Sequence, residues 1–234
     1  LDIADCVFTT GWAVQLAQSL QTAAIVLSDQ FIGQSTAVVS EPRRSAMTVV
    51  SPAPTDGEYL RYKLTESGVS ALAAPGDADH RFTADGLEHN EKGAPSASHS
   101  DHQQQLAKRA DKLQDFDYGD DWARRGGEGA TALVSFGSSS SAVDEAAEIL
   151  AAEGIDTRTL ALRLLAPLPG QALLAALAGC DRVVVIEQNH SAQLYRYLKG
   201  QVNFEQPVHS FAMAGPVPLN PRQIADHVSE VVSA

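Results

Sequence analysis

The segment RFTADGLEHNEKG, from Arg81 to Gly93, gathers side chains that could do chemistry: Asp85, Glu88, His89, Asn90 and Glu91. Carboxylates and imidazoles ligate metals and transfer protons, and the same groups accept hydrogen bonds in tight polar turns. His99 and His102 follow with the weak spacing H-x-x-H, and no H-E-x-x-H motif is present. We therefore predict a turn that orders a long connection and performs no chemistry, with a metal-binding loop as the lesser alternative.

Other candidate residues stand directly after apolar runs: Asp29, Gln30, Gly137, Ser138, Glu187 and Asn189. In open α/β sheets, ligands bind outside the carboxyl ends of the strands. The stretch GSSSS from Gly137 to Ser141 lacks both G-x-G-x-x-G and the P-loop lysine, so anion binding and a plain serine helix cap both stay open. For Glu187 and Asn189, a cleft and a structural cap of the next helix also stay open.

Composition excludes several classes of function. The formal net charge of −12 argues against binding nucleic acid or an anionic membrane surface. No apolar run is long enough to span a bilayer, and no signal peptide is apparent. The chain has only two cysteines, Cys6 and Cys180, which predicts a reducing compartment, the cytoplasm. We predict that Cys180 is an inert buried thiol. No G-x-S-x-G elbow supports a hydrolase.

Hydrophobic spacing divides the chain into three zones. In residues 1–40 we predict a helix, followed by a buried strand in TAAIVLSDQ. Because the sequence opens with Leu1 inside this helix, we expect it to be part of a longer protein. Residues 41–130 have weak periodicity, a strand or edge ribbon in EYLRYKLTESG and a helix in DHQQQLAKRADKLQ, and we predict an ordered connection anchored by aromatic residues.

Residues 131–234 alternate strands with helices. TALVSFG, TRTLALRLL, RVVVIEQN and VHSFAM are predicted strands that are apolar on both faces, and Ser141 is the predicted cap of the first helix between them. Asn220 and Pro221 predict the start of the last helix. The fold class is therefore α/β, with a doubly wound, mostly parallel sheet.

Several strings in this order resemble the alpha subunit of 2-oxoacid:ferredoxin oxidoreductases, closest to the 2-oxoglutarate type. They are LSDQFIGQS, YKLTESGVS, TADGLEHNEKGAPS, DHQQQLAKRADKL, VSFGSSSSAVDEAAEIL, LALRLLAPLP and VVVIEQNHSAQLYRYL, and they cover nearly the whole chain. One departure is local, since Ala71 and Leu72 stand where the resemblance leads us to expect Pro-Arg after GVS.

The resemblance implies the C-terminal portion of an enzyme subunit. Residues 1–40 would be the tail of a thiamine-pyrimidine domain, 41–130 the interdomain connection, and 131–234 a domain like the C-terminal one of transketolase. The enzyme would use thiamine diphosphate to decarboxylate a 2-oxoacid, transfer the acyl group to coenzyme A and pass electrons to ferredoxin. A beta subunit would hold the diphosphate, Mg²⁺ and an iron–sulfur cluster, and the catalytic residues are expected there and upstream of Leu1.

On this resemblance we expect the chain to bind none of these cofactors and to be inactive alone. The alternative function is a non-catalytic module that binds a nucleotide or acyl-CoA at Gly137–Ser141, or that joins subunits. The upstream sequence would discriminate between the two.

Overall fold

The computed structural model describes residues 1–45, 52–54 and 57–234, which form two compact units. Unit 1 comprises Leu1–Val7, Leu27–Arg43 and Tyr118–Ala234, and unit 2 comprises Phe8–Val26 and Arg44–Asp117. The division of the chain into domains at residues 40 and 130 stays a prediction.

The described residues form helices α1 (Ile3–Leu20), α2 (Gln30–Gln34), α3 (His99–Gln114), α4 (Ser139–Ala152), α5 (Gly170–Ala176), α6 (Gln193–Gln201) and α7 (Pro221–Ser233). The strands are β1 (Ala123–Gly126), β2 (Thr131–Phe136), β3 (Thr157–Leu162), β4 (Arg182–Glu187) and β5 (Val208–Ala212). In this part of the chain no helix combines the length and apolarity needed to cross a membrane.

The sheet of unit 1 has the order β1-β3-β2-β4-β5. Strands β2 to β5 pair in parallel, and β1 is an antiparallel edge strand on β3. The four predicted strands and the predicted doubly wound, mostly parallel sheet are confirmed. Strand β1 was not predicted, because its sequence ARRG carries no apolar alternation.

Apolar side chains leave both faces of the sheet. On β2, Ala132 and Val134 pack into one core with Leu173 of α5 and Leu198 of α6. Leu133, between them in sequence, packs into a second core on the other face. That second core is completed by helices α4 and α7, which contribute Leu150, Ile224 and Val228. Helices on both faces explain why the central strands read as continuous apolar runs.

Two predicted strands are wrong. The segment TAAIVLSDQ contains no strand, and the side chains of Ile25 and Leu27 are 83% and 75% exposed. No neighbouring strand in the described part of the chain pairs with its backbone, and a strand needs such a partner. In EYLRYKLTESG the backbone bonds elsewhere, since the N–H groups of Tyr62 and Leu64 donate to the carbonyl and the carboxylate of Glu91.

The helices predicted from the sequence agree with the structure better than these two strands do. Helix α1 buries Phe8, Trp12, Leu16 and Leu20, a stripe with a spacing of four residues, and α3 covers the predicted segment. Asn220 caps α7 as predicted, accepting from the N–H of Arg222. The predicted cap at Ser141 is wrong, because α4 begins at Ser139, after a turn at Gly137.

A buried ion pair connects the start of α1 to the sheet of unit 1. Arg163, just after β3, places Nη2 2.7 Å from Oδ1 of Asp5, and the two side chains are only 7% and 11% exposed. Another guanidinium nitrogen of Arg163 donates to the carbonyl of Asp121. Removing one charge from such a pair leaves the other charge desolvated and poorly compensated.

We predict that Asp5→Asn lowers the free energy of unfolding by about 1–3 kcal/mol, because Asn retains an acceptor and loses the charge. Urea denaturation measures the change. The matched control is Asp226→Asn, which removes the same charge from the exposed pair with Arg222 and should change stability by less than about 1 kcal/mol. Equal effects of the two substitutions would contradict a special contribution from the buried pair.

Candidate functional site

The first candidate site joins Asp29 to the turn between β2 and α4. Asp29 caps α2 through Oδ1, which accepts from the N–H of Ile32 at 2.9 Å. The carboxylate also lies beside the turn before α4, where Ser138 helps to lower its pKa. Gly137 has a φ of +57°, and a Cβ at that position would lie 3.9 Å from Oδ2 of Asp29. One carboxylate therefore lies at the starts of both α2 and α4, where a bound anion would otherwise be stabilised.

The charge of Asp29 is stabilised in this position. Partial burial raises the pKa of its carboxyl, but hydrogen bonds from Ile32, Ser138 and Phe31 outweigh that effect and lower the pKa below its usual value. The carboxylate is therefore ionised at neutral pH and repels a second anion from the turn. Gln30, the other predicted residue of this pair, is exposed at the start of α2.

The second candidate site lies at the start of α6. Glu187 ends β4 with its side chain fully buried. Its Oε2 accepts from the N–H of Leu194 at 2.7 Å, and its Oε1 accepts from the N–H of Tyr195 at 2.9 Å. Asn189 donates its side-chain amide to Glu187 as well. Glu187 thus satisfies amides of the first turn of α6 that have no partner within the helix.

Asn189 organises the loop between β4 and α6. Its Oδ1 accepts from the N–H groups of Ser191 and Gln193, both at 3.1 Å. Ala192 follows with a φ of +50°, a left-handed conformation that a residue with a Cβ adopts rarely. The loop is held by its own polar groups, and Gln188 and His190 are the exposed side chains beside them.

These two turns occupy one edge of the sheet. Strands β2 and β4 are parallel neighbours with Val134 paired to Val185, so Phe136 and Glu187 end their strands at the same level. From β2 the chain crosses to β3 on one side, and from β3 it crosses to β4 on the other side of β2. The gap between β2 and β4 is therefore the topological switch point, where ligands bind in doubly wound sheets.

The His89 segment belongs to unit 2 and forms a compact polar turn. His89 is 2% exposed, and its ring stacks on Tyr62 at 4.5 Å between centroids. Its Nε2 lies 3.2 Å from Oδ1 of Asp85. The Oδ1 of Asn90 accepts from the N–H groups of Lys92 and Ala94, which closes the turn. Among residues 1–45, 52–54 and 57–234, no group of three or more possible ligands could hold a metal ion.

Glu88 ties this turn to α3. Its two carboxylate oxygens accept from Nη1 and Nη2 of Arg109 at 2.9 and 2.8 Å, a bidentate pair. Nδ1 of His102 lies 2.8 Å from Oε2. The hydrogen bonds from Arg109 are the largest cause that lowers the pKa of Glu88 to about 2. Sequence reasoning missed this pair, because 21 residues separate its members and no local pattern connects them.

Part of unit 1 matches a known family, and several known proteins resemble most of the chain. Residues 130–224 match the family model of pyruvate:ferredoxin oxidoreductase core domain II. The chain is 30% identical to 2-oxoacid:ferredoxin oxidoreductase 2, subunit alpha, of Aeropyrum pernix, over 88% of this chain and 35% of the relative. It is 25% identical to 2-oxoglutarate synthase subunit KorA of Methanothermobacter marburgensis, over 82% of this chain and 52% of the relative.

A solved structure extends the likeness to nearly every residue. The 2-oxoglutarate:ferredoxin oxidoreductase from Magnetococcus marinus, with 2-oxoglutarate, coenzyme A and succinyl-CoA bound, matches 98% of this chain and 41% of its own. The TM-score is 0.85 at 31% sequence identity.

The strand order shows that unit 1 is a doubly wound α/β domain, and the family match shows that it is of the oxidoreductase core type. The chain belongs to the family of 2-oxoacid:ferredoxin oxidoreductase alpha subunits, as the sequence motifs predicted. It spans about a third to a half of the length of the relatives named here.

We predict that Glu187→Gln lowers the free energy of unfolding by about 1–3 kcal/mol, because a buried amide nitrogen then faces backbone donors. Urea denaturation tests this. Glu145→Gln removes a charge from an exposed position of α4 and should change stability by less than about 0.5 kcal/mol. Loss of stability no larger than in that control would show that Glu187 does not cap α6.

A second prediction concerns acid. Since the pKa of Glu88 is about 2 in the folded protein and 4.5 ordinarily, its stabilisation is complete above pH 4.5 and is lost as the pH falls toward 2. Glu88→Gln should therefore lower the free energy of unfolding by about 1–2 kcal/mol at pH 7, and the difference from wild type should shrink below pH 4.5.

The control for this acid dependence is Glu58→Gln, in which the glutamate of an exposed pair with Lys92 is replaced. It should show little difference from wild type at either pH. A difference between Glu88→Gln and wild type that stays constant from pH 7 to pH 2.5 would exclude ionisation of Glu88 as the cause.

Proposed function

We propose that this chain is part of the alpha subunit of a thiamine diphosphate-dependent 2-oxoacid:ferredoxin oxidoreductase with 2-oxoglutarate as its 2-oxoacid. The reaction is oxidative decarboxylation to an acyl-CoA, with electrons passed to ferredoxin. One observation carries the proposal: the likeness at a TM-score of 0.85 to an oxidoreductase that holds 2-oxoglutarate, coenzyme A and succinyl-CoA. The proposed partners are a beta subunit and ferredoxin, and the proposed compartment is the cytoplasm.

The residues of this chain do not fit the redox centre of such an enzyme. A [4Fe–4S] cluster needs four thiolates, and the chain has two cysteines. Cys180 is buried, its thiol lies 3.9 Å from the carbonyl of Gly129, and burial raises its pKa. The two thiols of this chain cannot hold such a cluster alone, and on the resemblance to the family we propose that the cluster, and the diphosphate with its Mg²⁺, lie in the beta subunit.

The turn at Gly137 does not fit a diphosphate either. Its helix N-terminus already receives the carboxylate of Asp29, which is ionised at neutral pH. This disfavours the alternative function, in which a nucleotide or acyl-CoA binds at Gly137–Ser141. At the edge of the sheet the exposed side chains beside Asn189 are His190 and Gln188, whose amide donates to the carbonyl of Val217. Because the carboxylate of Asp29 also lies at this edge, we propose a neutral or cationic group there and no phosphate.

The test is an assay of the alpha subunit that contains this chain, purified with its beta subunit. We expect 2-oxoglutarate to reduce a viologen dye only when coenzyme A is present, and to do so faster than pyruvate. Omission of the beta subunit is the control and should abolish dye reduction. An absence of dye reduction with every 2-oxoacid offered would overturn the proposed function.

A double substitution tests whether the two cysteines of this chain bind the iron–sulfur cluster. Replacing both Cys6 and Cys180, by Ser and Ala respectively, should leave the iron content and the dye reduction of the complex unchanged, because neither thiol binds iron. Loss of iron from a folded complex of this variant would contradict the assignment of the cluster to the beta subunit.

A further inference from the structure

Unit 2 carries three cations on one surface: Arg61, Lys108 and Lys112, here called the cationic cluster. Lys108 and Lys112 lie four residues apart on α3, so their side chains share one face of the helix. Arg61 precedes Tyr62, whose carbonyl accepts a hydrogen bond from Gln105 of α3. Burial first, and then the charge of Arg61, lowers the pKa of both lysines. The cluster belongs to a chain whose formal net charge is −12.

A tight loop seats the two lysines. Gly68, in TESGVS, has a φ of +70°, and a Cβ there would lie 2.4 Å from Cβ of Lys112. Only glycine permits this close approach, which brings the loop onto α3. The ammonium of Lys108 then donates to the hydroxyl of Ser70, which is 2% exposed and itself donates to the carbonyl of Lys63.

The ammonium groups keep unused donors. Lys112 donates to the carbonyl of Gln21 at 3.3 Å, and Lys108 donates to Ser70, so within the described residues each forms one hydrogen bond of the three it can make. The guanidinium of Arg61 lies 5.3 Å from the ring centroid of Phe82 and 5.7 Å from that of Tyr62. Within the described residues, no carboxylate lies within 4 Å of any of the three cations.

Neighbouring acids do not neutralise the cluster. Glu91 is the acid that acts on Lys108, and its Oε2 accepts from the N–H of Leu64. Glu88 is held by Arg109 and His102. Burial first, and then the charges of Arg61 and Lys112, lower the pKa of Lys108 to about 8. Partly buried cations that repel one another in this way are stabilised when an anion binds between them.

We propose that the cationic cluster binds a phosphate or diphosphate group. The ammonium of Lys108 is recessed against a buried hydroxyl, which favours a small anion with several oxygen atoms over the flat acidic surface of a protein. Arg61 supplies a planar fork of donors that suits phosphate oxygens. Coenzyme A carries such groups, and only this choice of ligand rests on the proposed function.

Calorimetry of the 234-residue chain at low ionic strength, with inorganic diphosphate as the probe, tests the site itself. We expect one saturable site, and we expect Lys108→Gln, Lys112→Gln and Arg61→Gln each to weaken binding by about tenfold. The control Lys199→Gln removes an equal charge from α6 and should not change the affinity. Equal weakening in the control would reduce the effect to net charge and overturn the proposal.

A measurement on the wild-type chain guards against variants that fail to fold. At pH 8 an amine-acylating reagent should modify Lys108 faster than Lys199, and inorganic diphosphate should slow the modification of Lys108 by at least about tenfold at a concentration of ten times its Kd. Unchanged modification of Lys108 in the presence of saturating diphosphate would overturn the proposed site.

The same modification experiment with two other ligands identifies the source of the phosphate. It also tests this site separately from the proposed enzymatic function. Coenzyme A should protect Lys108 as diphosphate does, and pantetheine, which lacks phosphate, should not. Equal protection by pantetheine would show that phosphate is not recognised and would overturn the site. Protection by diphosphate supports the site even where the dye-reduction assay fails, so the two failures remain distinguishable.

Discussion

Backbone amides at the carboxyl edge of the sheet need acceptors, because the first turn of a helix leaves its N–H groups without partners inside the helix. In unit 1 the chain provides these acceptors from its own carboxylates. Asp29 accepts from an N–H group at the start of α2 and lies at the start of α4. Glu187 accepts from two N–H groups at the start of α6. The turns that end β2 and β4, and therefore the shape of the edge between them, depend on these contacts.

This arrangement has a consequence for function. A helix N-terminus that already holds a carboxylate offers little to a phosphate, so the edge of the sheet is unsuited to the anionic parts of a cofactor. Unit 2 has the opposite character, with three cations on one surface and, among the described residues, no carboxylate within 4 Å of them. We therefore propose that unit 2 recognises phosphate and that neutral or cationic groups bind at the edge of the sheet.

The sequence predicted the parts of the fold whose pattern is local. The continuous apolar runs of β2 and β4 and the cap at Asn220 contain their own evidence, and each occurs as predicted. The strand predicted in TAAIVLSDQ failed, because the pairing that makes a strand lies outside the segment. Strand β1 was not predicted, because an edge strand such as ARRG need not be apolar.

The candidate site shows the same limit. Asp29 and Gly137 were each predicted from the end of an apolar run, yet nothing in the sequence indicates that Asp29 lies beside the turn at Gly137, more than a hundred residues along the chain. Likewise, α3 was predicted as a helix that contains Lys108 and Lys112. The contact of Lys108 with the buried hydroxyl of Ser70 depends on the loop at Gly68, which only the folded chain reveals.

The most direct test of the central claim is a map of backbone amide chemical shifts in the 234-residue chain as coenzyme A is added. We expect the shifts to change most around Arg61, Ser70, Lys108 and Lys112, while those of the turn at Gly137–Ser139 stay unchanged. Shifts concentrated at Gly137–Ser139, with the cationic cluster unaffected, would contradict it.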